Sequence, residues 1–215
     1  MLTDQGFVRL GSCKIDRTAR ICSGAIIGKP FRPLLVSEDK DAQRETIIGP
    51  DAYVGYYAIV GSGSVLSRGV IVDDHCSIES DITLGERSLI IYRAHICNEA
   101  QVGRDCVIGG LVAESVVVGD RARVFGKIVH SQHDPTLGWD AQEATELSAV
   151  LEAEAFVGFD ALVIGKVVVG ARAYVCAGAI VTRDVPAGHV AYSVNKIVPF
   201  KQWKGSLSQS RYFEQ

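Results

Sequence analysis

Every sixth residue from Ile48 to Ile108 is aliphatic: Ile48, Val54, Val60, Leu66, Val72, Ile78, Leu84, Ile90, Ile96, Val102 and Ile108. A helix repeats its apolar stripe at three and four residues and a half-buried strand at two, so a beat of six marks a repeat architecture. The residue after the aliphatic is often Gly (Gly49, Gly55, Gly61, Gly85, Gly103, Gly109), and the fourth after it is often small (Ala52, Ala58, Ser64, Cys76, Ala94, Ala100). Each hexapeptide therefore reads as one short strand and one corner. The aliphatic fills the interior, the small residue fits the tight corner, and the Gly is expected to take the positive φ of the turn. Three such units make one triangular coil, and each coil buries its apolar face on the next.

Breaks in the register locate the loops. An earlier phase runs through Ile15, Ile21 and Ile27; Val112, Val118 and Val124 follow a slip after Ile108; a last phase runs from Leu151 through Val157, Val163, Val169 and Val175 to Val181. Two insertions are predicted, at about 29–46 and 130–149, and inserted loops of that length inside a tight repeat are often functional. The repeat spans most of the 215 residues, so one elongated domain over 1–198 is expected. Residues 199–215, with Trp203, Tyr212 and Phe213, leave the repeat and are read as a capping extension for the open last coil.

Charge and composition narrow the function classes. With 22 Lys and Arg against 25 Asp and Glu the net charge is -3, which leaves no basic footprint for nucleic acid. No run reaches the length of a membrane span, and residues 1–12 lack the basic start and apolar stretch of a signal peptide, so a cytoplasmic protein without a membrane partner is expected. Of the six Cys, Cys76 and Cys106 hold small corner places and Cys22, Cys97 and Cys176 places where Gly is common, so they read as reduced, small apolar fillers.

The repeats resemble the hexapeptide transferase superfamily, and that resemblance implies an all-β fold, a left-handed parallel β-helix. Its handedness rests on the resemblance alone. Residues 148–198 resemble more narrowly the acetyl-CoA-dependent O- and N-acetyltransferases of the superfamily. Phe156-Val157-Gly158 stands where that group has Trp-Ile-Gly, and the run Cys176-Ala177-Gly178-Ala179-Ile180-Val181-Thr182-Arg183-Asp184-Val185-Pro186 tracks its Gly-Ala-Gly-Ser-Val-Val-Thr-Lys-Asp-Ile-Pro signature. The resemblance implies acetyl-CoA as co-substrate, with Gly158 and Ala177 beside the pantetheine arm and Thr182 and Arg183 along the arm and nucleotide. Arg183 or Lys196 would meet the phosphates. It also implies a homotrimer with each site between neighbours, and a sugar or nucleotide-sugar as acceptor.

In the resembling enzymes a loop His shortly before the last coils is the general base. His133-Asp134-Pro135 is the counterpart here, with His130 as companion or alternative. An imidazole with pKa about 6.5 suits the task, because a hydroxyl or protonated amine must lose a proton as it attacks the thioester. Asp134 and Trp139 are candidates for substrate contact in the same loop, and Asn98 is a candidate for binding acceptor hydroxyls. His75 and His95 are expected to be outward-facing surface residues. No metal is assigned in this reading. A γ-carbonic-anhydrase-like zinc hydratase is an alternative, with His95, His130 and His133 as ligands, although their spacings do not match that family. A non-catalytic coenzyme-binding or scaffold relative is another, motivated by Phe159, which stands where the family has a small residue, and by an altered closing segment from Tyr192 to Ile197.

Overall fold

The computed structural model describes residues 6–30, 44–131, 148–194 and 196–204. Short strands, mostly of two or three residues, stack into three sheets of nine, eight and ten strands among the described residues, parallel except for the last strand of the third. They are the three faces of a coil. Face one contains Ile59–Gly61, Ser77–Ile78 and His95–Ile96; face two contains Val65–Leu66, Thr83–Leu84 and Gln101–Val102; face three contains Ile71–Val72, Leu89–Ile90 and Val107–Ile108. Leu66 pairs with Leu84 and Leu84 with Val102, so one turn of the coil takes eighteen residues, three hexapeptides. This three-sided, all-β coil is a parallel β-helix, without an α-helix among the described residues.

The hexad aliphatics point inward as the spacing requires: Val54, Val60, Leu66, Val72, Ile78, Leu84, Ile90, Ile96 and Ile108 are fully buried. Each such side chain contributes about 1.5–3 kcal/mol relative to leaving it in water. The small place behind them is also closed, and Val70 and Ile82 fill it where Ala or Ser stands elsewhere.

The glycines have a different task from the one the sequence suggested. At most corners positive φ falls on the third residue after the core aliphatic, with Gly28, directly after Ile27 at +80°, an exception. The ten successive corners from Asp51 to Asp105 all lie between 56° and 73°, and only Gly63 and Gly69 among them are glycine. The glycine directly after the aliphatic is demanded by close stacking instead: a Cβ on Gly49 would lie 2.7 Å from the Leu66 carbonyl oxygen on the next turn.

The slip after Ile108 shortens the corner between faces three and one. Ile96 pairs with Val112 and Ile108 with Val124, so this part of the coil takes sixteen residues per turn. Gly110 sits against the Gly126 carbonyl, too close for any side chain. Both insertions leave from the same place. The chain departs after Ile26–Lys29 and after Lys127–Val129, both on face one, and re-enters at Thr46–Ile48 and Val150–Leu151, both on face two. At the far end Lys196–Pro199 turns back antiparallel on His189–Tyr192, and Trp203 packs edge-on against Tyr174 at 5.7 Å.

Candidate active site

The three edges of the coil carry three chemistries. The edge between faces two and three is charged: Arg68–Asp51, Arg87–Asp105, Arg104–Asp120 and Arg121–Glu154 pair between neighbouring turns at 2.6–2.9 Å. The edge between faces three and one is aromatic. Tyr57 stacks on His75 at 5.4 Å, Tyr92 meets His75 edge-on, and Phe159 stacks on Phe125 at 4.7 Å. The edge between faces one and two anchors both insertions and gathers most of the candidate chemistry.

On that edge a residue two after a core aliphatic recurs at one height per turn. Ser80, Asn98, Glu114 and His130 occupy it after Ile78, Ile96, Val112 and Ile128, which pair in that order across face one. Asn98 is held firmly: its side-chain oxygen accepts from the Ser80 backbone N–H at 3.0 Å, and its own N–H donates to Glu79 Oε2 at 3.3 Å. Its amide nitrogen makes no hydrogen bond among the described residues, which leaves two N–H donors for a ligand. His130 is half-buried with Nε2 out of contact with solvent, just before the second insertion. The return of that insertion is tied to the same edge, where Ser148 Oγ donates to the Glu114 carbonyl at 2.8 Å. His133, Asp134 and Trp139 lie outside the described residues.

The cofactor candidates divide between two edges. Thr182 and Arg183 follow Val181 on face one and are exposed on the edge that carries His130, farther along the coil. Gly158 and Ala177 lie across face one, on the aromatic edge, in direct contact between turns: a Cβ on Gly158 would sit 2.7 Å from the Ala177 nitrogen. Lys196 faces Tyr192 at that same side, with its Nζ 6.0 Å from the ring centre. Phe159 is 64% exposed, and its ring lies back over Phe125 of the preceding turn.

A cluster that sequence reasoning passed over sits beside Asn98. His95 is not a bystander: its Nε2 lies 2.9 Å from Glu79 Oε1 and 3.9 Å from the Cys97 sulfur. Burial pushes the Cys97 thiol up to about 12, helped by the Glu79 and Glu114 carboxylates. Glu79 and Cys97 each follow a core aliphatic on adjacent turns, so an eighteen-residue spacing was the signal that pairs them. His95 and His130, by contrast, are two turns apart, about 9–10 Å at 4.7–4.9 Å per strand, so one chain does not gather them onto one metal.

No protein-family profile matches the chain. It is 26% identical over 202 residues to the bifunctional protein GlmU of Pelobacter propionicus, covering 92% of this chain and 34% of that protein. With GlmU of Heliobacterium modesticaldum it shares 27% identity over 183 residues, 83% of this chain and 32% of the relative. The chain thus spans about a third of the length of these curated relatives. The solved structure of UDP-N-acetylglucosamine O-acyltransferase (LpxA) from Moraxella catarrhalis aligns over 87% of this chain and 75% of its own, at 15% identity and a TM-score of 0.49. No helix among the described residues is long and apolar enough to cross a membrane. The similarity to GlmU runs along most of the chain, the same stretch over which the six-residue repeat builds the three-sided coil.

Proposed function

We propose that the chain is a coenzyme A-dependent acyltransferase that moves acetyl, or a related acyl group, to a hydroxyl or amine of a sugar or nucleotide-sugar. The observation that carries this reading is the shared edge: Asn98, His130, both ends of the second insertion, and Thr182 with Arg183 line one side of face one. The Cys176-to-Pro186 signature on the last turns supplies the coenzyme part of the argument.

In this reading His133 takes the proton of the acceptor hydroxyl or amine as the acceptor attacks the thioester carbonyl, with His130 beside it. The C–S bond breaks, and the imidazolium returns the proton to the departing thiolate. Asn98 orients the acceptor through its amide N–H groups. Asp134 and Trp139 contact the acceptor from the loop. Gly158 and Ala177 leave room and backbone groups for the pantetheine arm, and Arg183 and Lys196 meet its phosphates. The separation of these groups onto two edges fits a homotrimer in which one copy's edge faces its neighbour's across a groove. Residues 1–198 then form one domain capped by 199–215. Six free cysteines suit the reducing cytoplasm.

The test is release of free coenzyme A from acetyl-CoA that depends on a sugar or nucleotide-sugar acceptor. His133→Ala is expected to lower that rate by about 10²–10⁴-fold with the fold intact, the usual contribution of a general base. Unchanged turnover in both His133→Ala and His130→Ala would remove the base from this edge.

A further inference from the structure

Among the described residues, the carboxylates ion-paired along the coil have arginine partners, with one exception. Asp51, Asp81, Asp105, Asp120 and Glu154 each pair with an Arg, whereas Glu79 pairs with His95 alone. The sulfur of Cys97 completes this group, and the ligating atoms of Glu79, His95 and Cys97 all lie within 4.8 Å of one another. We infer that Glu79, His95 and Cys97 form a zinc site on the outer surface of face one.

The coil sets the donors rigidly. Glu79 and Cys97 follow Ile78 and Ile96, which are strand partners, so an oxygen and a sulfur donor are stacked one turn apart. His95 stands beside them on the same strand, directly before Ile96. Sites built on strands hold their ligands more closely than sites on loops. The surroundings are organised too: the second oxygen of Glu79 accepts from the Asn98 N–H, and the Asn98 side chain is held by the Ser80 N–H. Such outer hydrogen bonds orient a carboxylate ligand and account for part of a metal's affinity.

The donor set selects the ion. One thiolate, one imidazole and one carboxylate are the ligand types of Zn²⁺, whereas Ca²⁺ and Mg²⁺ require oxygen. Ligand bonds of about 2.0–2.3 Å in a tetrahedron put donor atoms roughly 3.3–3.8 Å apart. The present separations, 2.9 Å and 3.9 Å from His95 Nε2 and none above 4.8 Å, reach that range by side-chain shifts of about 1 Å or less. On binding, the thiol proton of Cys97 passes to solvent and the neutral imidazole carries its proton on Nδ1, which frees Nε2 for the metal. Three protein ligands leave a fourth position for water or a ligand group beside Asn98. The site stands whether or not the acyltransfer reading does.

Chelator-stripped protein titrated with Co²⁺ gives the direct readout. One equivalent per chain is expected, with a sulfur-to-cobalt charge-transfer band in the near ultraviolet and the visible absorption of tetrahedral cobalt, both displaced by Zn²⁺. Cys97→Ser removes the charge-transfer band. His130→Ala and His133→Ala leave binding unchanged, which separates this site from one in the loop. Ala113 holds the place of Cys97 one turn on, so the coil tolerates a small residue there; should Cys97→Ser not fold, Glu79→Gln is read in its stead. Absence of stoichiometric binding, an undiminished band in the readable variant, or loss of metal in the loop His variants instead would overturn the assignment.

Discussion

A corner of this coil asks two separate things of its residues, and they fall two positions apart. At the corners from Asp51 to Asp105 the third place after the aliphatic adopts positive φ, and it does so with Asp, Tyr, His, Arg and Glu as well as Gly. The first place must lack a side chain wherever the next turn's backbone lies against it. Gly69 and Gly49 separate the two demands. At Gly69, φ is +66° and a Cβ would meet only the Arg87 side chain at 3.6 Å, so Gly69→Ala introduces backbone strain alone, about 1 kcal/mol. At Gly49 a Cβ meets backbone at 2.7 Å, and Gly49→Ala should cost more, about 2–3 kcal/mol. Urea unfolding midpoints of the two variants decide it, and the reverse order would refute this division of labour. The sequence displayed the aliphatic beat and the small corner residue because both are filled by narrow residue classes. It concealed the positive-φ place, because so many residue types occupy it, and the abundant glycines drew attention to the wrong position.

Between turns, the pairings follow a rule that becomes visible only after the turn length is known. Residues eighteen apart, or sixteen where the turn spans the slip after Ile108, lie one above the other: Arg87 over Asp105, Arg104 over Asp120, Glu79 over Cys97. Along the chain alone nothing marks Glu79, and His95 reads as a surface residue. The charged edge predicts a pH response. The Arg87 guanidinium, bonded twice to Asp105 at 2.7 and 2.8 Å, holds that carboxyl below the usual carboxylate range, and the Arg104 backbone N–H does the same to Asp120. Carboxyls depressed in the folded state lend stability above their unfolded value of about 3.9, and that contribution is lost as pH falls toward their folded values. The urea midpoint should therefore fall from about pH 5 to pH 3, and Asp105→Asn should flatten that fall. The effect should be modest, because these pairs are exposed to solvent. An identical pH profile in Asp105→Asn would show that the pair contributes nothing.

On the scale of the whole molecule, the candidate groups sit on opposite sides of one face. Asn98, His130 and Arg183 line its edge with face two, while Gly158 and Ala177 line its edge with face three. The signature residues were readable in the sequence, but this division was not, since it depends on which corner each hexapeptide turns. If a groove between copies joins one chain's first edge to its neighbour's second, two differently disabled variants should repair each other. His133→Ala removes the proposed base, in the insertion anchored to the first edge. Ala177→Trp blocks the second by filling the place where Ala177 lies against Gly158. Each variant alone is expected to be inactive. After unfolding and refolding together in equal amounts, they should recover about a quarter of the unmodified rate, because in random threefold assemblies that fraction of neighbouring pairs joins two intact edges. Sedimentation in the same samples must show trimers. Trimers that stay inactive after mixing would mean that each chain completes its own site, and the face between the two edges would then have to carry the coenzyme within a single copy.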